Sequence, residues 1–153
     1  MILNELTATL VYLDRQDACK TILMMGAGFG SGVDLTYLLC DNRNKGTKQE
    51  FITTLAQLGK PILLGVSGAV VGAAVTILPL FDFVLASNSA RRNATSELLM
   101  SCKKISSQEA KSLNLITRVC NHDSFEKNAE MWAKEISKYS AQSMQTTMVN
   151  ILS

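Results

Sequence analysis

The run Lys60-Pro61-Ile62-Leu63-Leu64-Gly65-Val66-Ser67-Gly68 decides the fold. A proline ahead of a short, continuously apolar run reads as the start of a strand, and Ser67-Gly68 turns the chain out of it. A strand that is apolar at every position, not at alternate ones, is one covered on both faces, the habit of parallel sheets. Two further segments share this character: Thr21-Ile22-Leu23-Met24-Met25, broken by Gly26-Ala27-Gly28, and Phe81-Asp82-Phe83-Val84-Leu85-Ala86. Helical patterns separate them. Asn4 caps a first helix with Leu6, Leu10 and Leu13 on one face. Lys45 to Leu58 carries Phe51, Leu55 and Leu58 and is stopped by Gly59. Val71 to Leu78 reads as a short buried helix. The expectation is an α/β fold, with a parallel sheet built from 21–25, 62–66 and 81–86 and flanked by helices over 4–14, 46–58 and 71–78.

Beyond Ala90 the pattern turns helical. Ala94 to Ser101 is one candidate helix. Ser106-Ser107-Gln108-Glu109 is a capping box that opens another. Leu115 to Val119 is extended, and Phe125 to Met148 is largely helical, with Ala129, Trp132, Ala133 and Ile136 on its apolar face. That face either covers the chain's own sheet or meets a partner. No repeat, linker or low-complexity tract divides the chain, so 1–153 reads as one domain.

Composition narrows the function. With 47 % hydrophobic and 18 % charged residues in 153, the chain is globular and long enough for a sizeable core. A net charge of +2 leaves no footprint for direct nucleic-acid binding. Cys19, Cys40, Cys102 and Cys120 are widely spaced and the only histidine is His122, so no zinc-ligand spacing exists and the thiols read as reduced, in an intracellular protein. Met1 to Leu10 does not read as a secretory signal. The longest apolar stretch, Ala69 to Leu80, is too short to span a bilayer.

Two strand-to-helix turns are where chemistry would sit: Gly28-Phe29-Gly30-Ser31-Gly32-Val33-Asp34-Leu35 and Ser67-Gly68-Ala69-Val70-Val71-Gly72-Ala73-Ala74. Such turns leave backbone N–H groups free, and small side chains let a ligand approach closely. Two N–H groups aimed at one point make an oxyanion hole. The alternative is that each is simply a tight turn packed on the sheet.

In order along nearly the whole chain, Phe29, Gly32, Asp34 and Leu35, then Lys60, Pro61, Gly68, Gly72 and Asp82, resemble the motifs of the crotonase (enoyl-CoA hydratase/isomerase) family. Glu97-Leu98-Leu99, Lys103-Lys104-Ile105-Ser106, Glu109-Ala110 and Leu113 to Val119 continue the resemblance. The stretch Val75 to Asp82 is most similar to two branches, the peroxisomal Δ3,Δ2-enoyl-CoA isomerases and the crotonase-like domain of the chromodomain Y-like corepressors. The resemblance implies an incomplete ClpP/crotonase-like fold. It implies an oxyanion pair in the Val33 and Ala73 N–H groups, and a CoA-binding run through Ser31, Gly32, Val33, Asp34 and Leu35. A CoA thioester would be the ligand, with no cofactor and no metal required.

What the resemblance also implies is a loss. Family hydratases carry a glutamate at the position of Thr76, and threonine is no general base without an activating partner. The related isomerases use a second glutamate in a segment after the third strand. Here Ala90 runs straight into Arg91-Arg92-Asn93, and no acidic residue lies between Asp82 and Glu97. No catalytic residue is assigned. Glu97 is the nearest carboxylate and matches a structural helix position, while His122 reads as a surface loop residue. The family's first strands, the segment after Ala90 and the last helices are missing. The expectation is a pseudoenzyme acting through a protein partner or as a homo-oligomer, with CoA binding weakened or lost. The alternative is an active enoyl-CoA isomerase or hydratase. The expected compartment is the nucleus or cytoplasm; a peroxisome is the alternative, although Ile151-Leu152-Ser153 is not a terminal peroxisomal signal.

Overall fold

The computed structural model describes residues 2–27, 29–31, 45–71, 73–88, 96–97 and 104–139. A helix α1 (Ile2–Asp14) leads into β1 (Ile22–Gly26) and the short β2 (Phe29–Ser31). Helix α2 (Lys45–Gln57) follows, then β3 (Ile62–Val66) and the two-residue β4 (Val70–Val71). A single turn of helix, α3 (Ala73–Thr76), passes through a 3-10 turn at Leu78–Leu80 into β5 (Phe83–Ser87). Beyond it lie β6 (Ser96–Glu97), β7 (Lys104–Ile105), α4 (Ser107–Ser112), β8 (Arg118–Cys120) and α5 (Phe125–Ile136).

The main sheet is four-stranded, parallel throughout, in the order β1-β3-β5-β8. Its register sets Ile22 opposite Ile62 and Leu63 opposite Phe83. All five positions of β3 are buried, and the two faces show why. Ile62, Leu64 and Val66 pack towards Leu10 of α1, Phe51 and Leu55 of α2, and Leu78 and Phe81. Leu63 and Leu85 face the other way, onto Phe125, Ala129, Trp132 and Ile136 of α5. A Cβ on Gly65 would lie 3.2 Å from the Phe125 ring, so glycine is what lets α5 approach the sheet closely. Each such aliphatic side chain is worth about 1.5–3 kcal/mol of burial, which makes this two-sided core the main stabilising term.

The repeating unit is a strand in the main sheet, a short strand outside it, and a helix. β2 and β4 pair in parallel as a second small sheet, and β6 pairs with β7 antiparallel as a third. The turn at Gly59-Lys60 locks α1 to β3. Gly59 N–H donates to the Asp14 carboxylate, and the Lys60 ammonium donates to the Leu13 carbonyl at 2.7 Å and to that of Gln16. Lysine thereby adds a cationic donor to carbonyls at and just beyond the C-terminal end of α1, where the helix dipole favours positive charge.

Several elements differ from the sequence reading. Helix α1 begins at Ile2, so Asn4 lies inside it and is not its cap. The helix expected over Val71 to Leu78 is only Ala73–Thr76, because Val70–Val71 is drawn into strand pairing with β2 and Pro79 enforces a 3-10 turn. The third strand starts at Phe83. Asp82 just before it holds the Ile62 N–H with its carboxylate at 2.7 Å and donates its own N–H to the Ile62 carbonyl. The helix read over Ala94 to Ser101 is contradicted at Ser96–Glu97, which is strand paired with Lys104–Ile105. The extended piece at Leu115 to Val119 is β8, shifted to Arg118–Cys120. The last described helix ends at Ile136, and 140–148 lie outside the described residues. Its apolar face packs on the chain's own sheet and so offers no free surface to a partner. The capping box stands as read, with Ser106 Oγ accepting from Glu109 N–H at 3.2 Å and Glu109 accepting from Ser106 N–H at 2.7 Å.

Candidate functional site

β1 ends at Gly26 and β3 at Val66; within four residues each chain enters the second sheet, as β2 and β4. Pairing of these strands, Phe29 with Val70 and Ser31 with Val71, sets the described parts of the two glycine-bearing segments side by side, beyond the C-terminal ends of the main strands. That end of a parallel α/β sheet is where ligands usually bind. Ala73 lies two residues beyond Val71 and opens α3, where the first N–H groups of a helical turn have no partner within it. Val33 stands two residues beyond Ser31 in the sequence. Gly32, Val33, Asp34 and Leu35 lie outside the described residues, as does Gly72. Of the residues implied for an acyl-CoA site, the structure therefore describes Ser31 at the end of β2 and Ala73 at the start of α3.

The carboxylates sort by their place on the sheet. Asp82 sits at the N-terminal end of β5, the opposite end from the two turns, and its carboxylate is committed to Ile62 N–H. Burial pushes its pKa above the ordinary carboxylate range, while the hydrogen bonds from Ile62 N–H and its own N–H act the other way. Its function is to pin β5 to β3. Thr76 is exposed at the end of α3. Glu97 lies on β6, which packs against β4, so its strand borders the site instead of occupying the helix position expected from the sequence.

At the far edge of the sheet, His122 is exposed in a 3-10 turn, as the sequence reading has it for a surface residue, but it is not isolated. Its Nδ1 lies 3.3 Å from the Oγ of Ser87, which is fully buried, and its N–H donates to the Asn88 side chain. Asn88 in turn donates to Asn121 and, through its N–H, to the Cys120 carbonyl. Partners more than thirty positions apart left no local signal in the sequence. Cys120 is half-buried, and burial pushes its thiol pKa up against a weaker opposing contact from Asn128, which favours the protonated form. Among the described residues no three of His, Cys, Asp and Glu converge to hold a metal ion. No helix among them is long and apolar enough to cross a membrane.

No family profile matches the chain. Individual proteins do. Chromodomain Y-like protein 2 of Mus musculus is 27 % identical over 161 residues, taking in 82 % of this chain and 32 % of its own length. Enoyl-CoA delta isomerase 2 of Rattus norvegicus is 30 % identical over 144 residues, 71 % of this chain and 36 % of its own. Among solved structures, the putative enoyl-CoA hydratase/carnithine racemase from Magnetospirillum magneticum AMB-1 superposes with a TM-score of 0.85 at 18 % identity, over 99 % of this chain and 71 % of that one. The chain belongs to the crotonase family. A second structure, an enoyl-CoA hydratase/isomerase from Pseudoalteromonas atlantica T6c, gives a TM-score of 0.81 at 19 % identity, and at such identities the structural matches speak for the crotonase fold alone. The chain spans about a third of the length of the curated relatives it matches. The match to Chromodomain Y-like protein 2 runs over 161 residues, yet 82 % of this 153-residue chain is about 125 residues; about 36 matched positions, the difference, have no counterpart here.

Proposed function

We propose that this chain is a non-catalytic crotonase-like protein that acts through protein–protein interaction, with acyl-CoA binding weakened or lost. The observation that carries the reading is the lack of a carboxylate on the helix that follows β4. Thr76 stands where family hydratases have glutamate, and the half-buried Asp82 is committed at the opposite end of the sheet from the two turns. Proton transfer beside a thioester carbonyl needs a carboxylate within hydrogen-bond reach of the substrate carbon. The similarity to the chromodomain Y-like proteins and the roughly 36 positions without counterpart support the same reading. Removing an internal segment bares apolar surface, and a partner is the ordinary means of covering it. Such a protein works inside the cell, and the chromodomain relatives favour the nucleus.

Calorimetry with acetyl-CoA tests the ligand half of the proposal. The expected result is no saturable heat at micromolar ligand. A low-micromolar dissociation constant, about −8 kcal/mol, contradicts it and restores the pocket.

One observation favours the second reading, an enoyl-CoA isomerase or hydratase acting on fatty acyl-CoA thioesters. The β6 strand that bears Glu97 packs on β4, beside the turn that opens at Ala73. In that reading the Val33 and Ala73 N–H groups hold the thioester carbonyl and Glu97 moves the proton. Turnover that disappears with Glu97→Gln, in a variant whose fold is unchanged by circular dichroism, would establish it.

A further inference from the structure

We draw no further inference here: the strongest candidate, the open groove between β8 and α5 lined by Arg118, Cys120, Asn128, Met131, Trp132 and Glu135, includes one cation and one carboxylate and so selects no charge of ligand, and nothing in the structure shows what covers it.

Discussion

Asp82 shows how one side chain can be read for both stability and pH. Its carboxylate accepts from Ile62 N–H at the start of two neighbouring strands. Asp82→Ala leaves that N–H without its acceptor, and a loss of about 1–3 kcal/mol in urea unfolding is expected. The pH dependence has a definite sign. Burial raises the folded-state pKa of Asp82 above its unfolded value, so the folded protein holds this proton more tightly than the unfolded chain. Its favourable contribution is complete below the unfolded pKa and is lost as pH rises through the folded one. Asp82→Asn, which still offers an oxygen to Ile62, should lack that decline, and the difference between variant and wild type should grow as pH is raised from the ordinary carboxylate range. Unfolding free energies at a series of acidic pH values give the comparison. Ser106 offers a second test, because both halves of its capping box are formed. Ser106→Ala should cost about 1 kcal/mol in the same assay.

The elements that could be read from the sequence are those whose pattern is local or whose environment is uniform. β3 was legible because α1 and α2 cover one face and α5 the other, leaving an unbroken apolar run. The capping box was legible because its partners are three residues apart. β4, β6 and β7 were not, since two residues carry no period, and pairing alone makes them strands. The role of Lys60 was hidden for another reason: its acceptors on α1 lie more than forty positions away. Helix α5 was legible as amphipathic, but which surface it meets was not. The Trp132 ring lies 5.4 Å from that of Phe83, and the Arg118 guanidinium sits 4.5 Å over it. Trp132→Ala should cost about 3–5 kcal/mol, a large part of a typical domain's stability. Arg118→Gln should cost roughly 1 kcal/mol or less, because the guanidinium is exposed. Trp132 is the only tryptophan, so its fluorescence reports α5 directly during unfolding.

For the molecule as a whole, the chain keeps the crotonase scaffold and the pairing of β2 with β4, while about 36 positions of the aligned stretch of Chromodomain Y-like protein 2 have no counterpart. The family was legible because its motifs recur in order along nearly the whole chain. The candidate site was legible only as two turns, since strand pairing and not sequence proximity sets Ser31 against Val71. The proposed function requires that the site lack a proton carrier: a scaffold can hold a thioester without moving its protons, but it cannot shift or hydrate a double bond without a base. Assay of the purified chain with 2-enoyl-CoA and 3-enoyl-CoA substrates tests that most directly. The account predicts no hydration or isomerisation above the uncatalysed rate at any enzyme concentration, and turnover that scales with enzyme and is abolished by Glu97→Gln would contradict it.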